Sequence, residues 1–176
     1  MPRVAATFLA NAHVRLGLLD DTLAHAVAPA EVAWTLCGFA GKELTLVDAI
    51  VYLCDPDGRT LTQQAAWGPK RAASRILESR ITLAMGQGIV GRCAQLRLPQ
   101  RTGDARFDPR YVPDDQFNLS ELAVPILCGD TLYGVLDSEH PGADHYTLEH
   151  EHALQAIADR GGRRLRQLAR PGGAGG

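Results

Sequence analysis

The chain has 176 residues, 45% hydrophobic and 22% charged, with a formal net charge of -2. Those values suit one globular domain with an ordinary core, and the near-neutral balance argues against nucleic acid or an anionic membrane as partner. No apolar run is long enough to span a bilayer and no signal peptide is legible, so the expected location is the cytoplasm.

Val4, Phe8, Ala12, Leu16, Leu19, Leu23 and Ala26 recur at steps of three and four, predicting one amphipathic helix over residues 3–28. Pro29 interrupts it, and residues 30–42 read as a second helix ending near Gly41. LTLVDAIVYLCD and RTLTQQAAWG, joined by Asp55-Pro56-Asp57-Gly58, read as an antiparallel hairpin. Ile81, Leu83 and Met85 alternate in a short third strand, and GIVGRCAQLR reads as a helix stopped by Leu98-Pro99. A short strand is expected near Gln100–Thr102, followed by a long charged loop, a length that in a compact domain is usually functional or disordered. ELAVPILC and TLYGVLDSE follow as two strands around the turn-forming Gly129-Asp130. Thr147 offers an N-cap, with Glu149 and Glu151 in the first turn and Arg160, Arg163, Arg164 and Arg166 towards the C-terminal end. The tail RPGGAGG is expected to be disordered. The expected divisions are an N-terminal helix (1–28), a main domain (29–168) and this tail (169–176), in an α+β fold with helices on one face of an antiparallel sheet.

GQGIVG (86–91) has the spacing of a dinucleotide-binding glycine loop. No βαβ unit surrounds it, and the position twenty residues after Gly86 is Arg106 rather than an acid. A tight strand-to-helix turn is the better reading. The cysteines, Cys37, Cys54, Cys93 and Cys128, form no Cys-x-x-Cys pair and read as buried structural thiols.

GQGIVGRCAQ, DPRY (108–111), SELAVPI (120–126) and YGVLDSEHP (133–141), in that order and spacing, resemble the signature of GAF domains, over roughly residues 5 to 168. The resemblance is strongest to the sensor modules of bacterial histidine kinases and other signalling proteins. It implies a six-stranded antiparallel sheet, terminal helices on one face and a ligand pocket on the other. It also implies a homodimer through the terminal helices, a histidine kinase or other signalling protein as output partner, and no catalytic residues, cofactor or metal.

Alternation along the last two strands puts Glu121 on one face with Asp137 and Glu139. A three-residue connection would set Glu121 opposite Asp137 or Glu139, whereas a two-residue one would mix faces. The cluster is either a solvated acidic sheet surface or a site for a cationic group such as an amine. Free methionine-(R)-sulfoxide reductases, which share the GAF fold, are similar here, with acids matching Glu121, Asp137 and Glu139 that hold the substrate. Their thiols are not matched: Val90 stands where they carry cysteine, the loop after Pro99 has none, and Cys93 lies three residues beyond Val90. A cyclic-nucleotide motif is echoed only by Phe107, Asp114 and Asp115.

Four of the six histidines fall between His140 and His152. His150 and His152 are two apart and face different ways on a helix, so a solvated helix start is expected rather than a metal site. Asp108, Arg110, Tyr111 and His140 complete the candidate ligand set, with Arg110 holding a carboxylate and Tyr111 or Phe107 covering it. The expected function is a non-enzymatic sensory domain for an amine- or amino-acid-like small molecule; the alternatives are a free methionine-(R)-sulfoxide reductase-like enzyme, whose thiols are missing here, and a pure dimerisation module.

Overall fold

In the computed structural model, which describes residues 2–68, 77, 80–108 and 118–170, the N-terminal apolar stripe folds as two helices rather than one. Helix α1 (Pro2–Ala10) stops and α2 (Ala12–Ala24) begins around Asn11, at φ -115° and ψ 16°. The Asn11 side chain donates to the Thr7 carbonyl at 3.0 Å, the kind of local bond by which asparagine competes with a helix ladder. Phe8, Leu16, Leu19 and Leu23 stay buried across the break. Helix α3 (Pro29–Glu43) starts on Pro29, whose missing N–H costs nothing in a first turn.

Strands β1 (Ala49–Cys54) and β2 (Thr60–Trp67) form the expected hairpin, and β3 (Thr82–Ala84) adds to β2. Helix α4 (Gly88–Leu96) leads to β4 (Gln100–Thr102), then β5 (Ser120–Cys128), β6 (Thr131–His140) and α5 (Leu148–Ala169). The strands make one antiparallel sheet in the order β3-β2-β1-β6-β5-β4, so the two longest lie in its interior.

GQGIVG is the strand-to-helix turn between β3 and α4. Gly86 and Gly88 have φ of 85° and 66°, a region that glycine enters without a Cβ penalty. A Cβ on Gly91 would lie 2.5 Å from the Ala84 carbonyl oxygen, so the third glycine is set by close approach.

Pleat alternation divides the sheet residues between two cores. Val51, Leu122, Val124, Ile126 and Leu136 pack with α1, α2, α3 and α5 on one face. Ile50, Tyr52, Ala123 and Val135 pack with Ile89, Val90, Cys93 and Ala94 of α4 on the other.

The β5–β6 connection corrects the sequence argument. Cys128 pairs with Thr131, leaving the two-residue turn that alternation appeared to forbid. A bulge between Ile126 and Leu127 then lets two β6 residues oppose one on β5, and the pairing beyond it becomes Glu121 with Glu139 and Ala123 with Asp137. The bulge restores the face assignment that the shorter turn alone would have reversed.

Candidate ligand site

Glu121, Asp137 and Glu139 share the α4 face of the two interior strands. One carboxylate oxygen from each lies within 4.8 Å of the others, and the residues are only 5%, 2% and 7% exposed. A solvated acidic surface is thereby ruled out. Buried carboxylates at this spacing repel one another and lose hydration, a cost that a cation or hydrogen-bond donors must offset. Asn118 supplies one donor, its Nδ2 reaching Glu139 Oε2 at 2.9 Å.

Asp48 is a site residue that the sequence reading placed inside a strand. Strand β1 begins one residue later, and the buried Asp48 side chain accepts the Glu139 backbone N–H on Oδ1 at 2.7 Å. Its carbonyl accepts from Ser138 Oγ at 2.6 Å, and Ser138 Oγ lies 2.6 Å from the Tyr146 hydroxyl. Burial, reinforced by the charges of Asp48, Asp137 and Glu139, holds the Tyr146 phenol well above its usual range against the Ser138 hydrogen bond. An acid embedded in an apolar run was the available signal for Asp48.

All four cysteines are free. Cys93 on α4 is fully buried, and burial first, then the charges of Asp137 and Glu121, push its thiol upward. Cys37, buried on the opposite side of the sheet, is likewise pushed up by burial, and Cys54 rises to about 11 for the same reason.

The loop does not close over the site in the way expected. Asp104 and Arg106 pair with each other at 2.6 Å, and Phe107 is 80% exposed with the Arg106 guanidinium above its ring. Asp108 is half-buried at the end of a single 3-10 turn, Ala105–Phe107, its N–H donated to the Ala105 carbonyl. Arg110 and Tyr111 lie outside the described residues.

The helix start is not the solvated end expected of it. His150 is 2% exposed, and its Nδ1 accepts the Thr147 backbone N–H at 3.2 Å. His140, half-buried at the end of β6 and by alternation on the face opposite Glu139, stacks on His145. Among the described residues the histidines form no converging donor trio, whereas the three carboxylates offer the all-oxygen set of a hard divalent cation. Chemically the site can take a metal ion of that kind or an organic cation.

This arrangement, a six-stranded antiparallel sheet with helices on both faces and a buried acidic cluster on its two longest strands, is that of a small α+β domain. The family model for the GAF domain matches residues 31–165, and the chain belongs to that family. The fold is similar to that of a free methionine-R-sulfoxide reductase from Neisseria meningitidis, solved with its substrate, at TM-score 0.71 and 20% identity over 86% of each chain. It is also similar to the GAF domain of a phosphoenolpyruvate-protein phosphotransferase from Coxiella burnetii, at TM-score 0.76 and 17% identity over 93% of this chain and 95% of that one. A type II free methionine-R-sulfoxide reductase from Thermoplasma acidophilum superposes at TM-score 0.65 and 17% identity, over 80% of this chain and 97% of that one. No curated protein matches the chain. No helix among the described residues is long and apolar enough to cross a membrane.

Proposed function

We propose that this GAF domain is a cytoplasmic sensor that binds a small molecule through a cationic nitrogen, an amine or amino acid, held by Glu121, Asp137 and Glu139. The observation that carries this reading is the convergence of three buried carboxylates within 4.8 Å. An ammonium group offers three donors and one positive charge, which answers both the repulsion and the lost hydration. Arg110, Tyr111, Asp108 and His140 remain proposed contacts for the rest of the ligand.

A route for the signal runs through β5, which carries Glu121 and lies against α5. Gln155 of α5 donates to the Pro125 carbonyl at 3.0 Å, and Gly162 seats the helix on the Leu127 carbonyl. Binding that shifts β5 biases α5, and with it the packing of the terminal helices. Val14 and Leu18, one turn apart on α2, are 64% and 54% exposed and suit a homodimer contact. Such a dimer would report to a histidine kinase or another signalling partner.

Free methionine-R-sulfoxide reductases are among the similar structures, so sulfoxide reduction is the competing reading. It needs an accessible thiolate, and Cys93, on the same side of the sheet as the carboxylates, is buried and its thiol strongly disfavours ionisation. The expected outcome is no turnover of free methionine sulfoxide with a dithiol reductant, and steady turnover would favour the enzyme.

The ligand test is thermal unfolding against amino acids, polyamines, their deaminated analogues, and calcium or magnesium after chelation. An amine at about 100 times its Kd adds ~2.7 kcal/mol and raises the midpoint by roughly 5–10 °C. Deaminated analogues should leave it unchanged. A response to the divalent cations alone would replace the amine reading with a metal site.

A further inference from the structure

We infer that His140, His145 and His150 form a proton-sensitive latch where β6 joins α5, controlling the first turn of the terminal helix. His140 and His145 stack face to face, their ring centres 3.5 Å apart and their planes within 9°. His150 lies 5.5 Å from His145, and the Tyr146 ring meets both edge-on at 5.0 and 5.9 Å. Two of the imidazoles are fixed as acceptors. Nδ1 of His140 accepts the Gly142 N–H at 2.9 Å, as Nδ1 of His150 accepts that of Thr147. A ring accepting at Nδ1 is the neutral tautomer carrying its proton on Nε2, so the bond that caps α5 requires His150 uncharged.

Stacking of this kind disfavours a metal. Imidazole lone pairs lie in the ring plane, so parallel rings 3.5 Å apart do not aim at one ion, and Nδ1 of both flanking rings is already engaged.

Acid acts on the latch from several directions. His145 faces His140 from β6 and His150 from α5. Burial first, then those two rings, and finally the amino-terminal charge push it down to about 4. Burial also lowers His150, with Glu149 opposing and the amino-terminal charge and His140 assisting. Glu149 itself accepts from Thr147 Oγ at 2.6 Å, with the exposed His152 on the same helix also favouring its charge. Asp144 points away towards β4, its N–H donated to the Gly103 carbonyl at 2.8 Å. Asp48, Asp137 and Glu139 act on Tyr146, whose hydroxyl meets Ser138 behind the stack.

The sign follows from depressed values in the closed form. An open latch takes up protons first as pH falls through about 6.5, the ordinary histidine value. Closure is therefore fully favoured above that pH and weakens down to about 4, where His145 charges in the closed form as well. Protonation of His150 removes the acceptor of Thr147, the N-cap of α5. Charges on His145 and His150, whose rings lie 5.5 Å apart, then part the cluster and release the connection over residues 141–147.

The test is an amide and imidazole NMR titration of the whole chain from pH 8 to 4.5, with His145→Phe as a stacked ring that cannot charge. In the wild type, the Thr147 amide should move with a midpoint below the ordinary histidine value, and His145 should titrate below it. In His145→Phe the Thr147 amide should keep that midpoint, while the other amides of the 141–147 connection stay in place at the acid end. The inference is overturned if the wild-type Thr147 amide stays still, if His145 titrates near 6.5, or if the connection opens alike in His145→Phe. The wild-type titration decides the matter even if the variant does not fold.

Discussion

Glu121→Gln is expected to raise the melting temperature of the ligand-free protein and to remove its response to amines. Glu121 stands directly across from Glu139 in the sheet, with Asp137 the third member of the cluster, and all three are buried. Like charges opposite one another destabilise a sheet, and an amide of the same shape relieves that repulsion without opening a cavity. The gain at pH 7 should be about 1 kcal/mol, or ~2–4 °C for a chain of this size. Stability and binding then move in opposite directions, as expected of residues kept for a ligand rather than for the fold. Lower stability with the amine response intact would mean that Glu121 is structural.

Gly162→Ala is expected to lower stability by about 2–3 kcal/mol, a fall of ~5–10 °C in melting temperature. A Cβ there would sit 2.0 Å from the Leu127 carbonyl oxygen, and both atoms are backbone-fixed, so α5 must lift from β5. The neighbouring Gly161 is similarly confined, its Cβ position 2.4 Å from Leu36 on α3. Alanine's better helix propensity, worth up to about 1 kcal/mol, offsets only part of that cost. Gly17→Ala on α2 is the control, because nothing lies within 4 Å of its Cβ position, and there the propensity gain should appear alone. Urea midpoints of the two variants should move in opposite directions. A Gly162→Ala variant as stable as the control would remove the tight α5–β5 contact from the signalling route.

Much of the fold was legible because its elements are locally encoded. The alternation in ELAVPILC and TLYGVLDSE, the turn chemistry of Asp57-Gly58 and the three glycines of GQGIVG each act over a few residues. The break at Asn11 was not legible, since the apolar stripe continues through it and only the Asn11–Thr7 bond marks the change. The carboxylates were located correctly by alternation, although the turn length was wrong: a bulge leaves no sequence signature as plain as a glycine. Their burial could not be read locally, because it depends on packing between distant elements, including Asn118 and α4. His145 likewise meets His140 and His150 only because strand, connection and helix converge in space.

The position of a bound amine tests the central claim most directly. A crystal structure with the amine that most stabilises the protein should place its nitrogen within hydrogen-bond distance of Glu121, Asp137 and Glu139, on the α4 face of β5 and β6. An amine bound elsewhere, for example in the groove lined by Arg3, Phe8, Arg15 and Glu43 on the helical side, with the three carboxylates untouched, would contradict it.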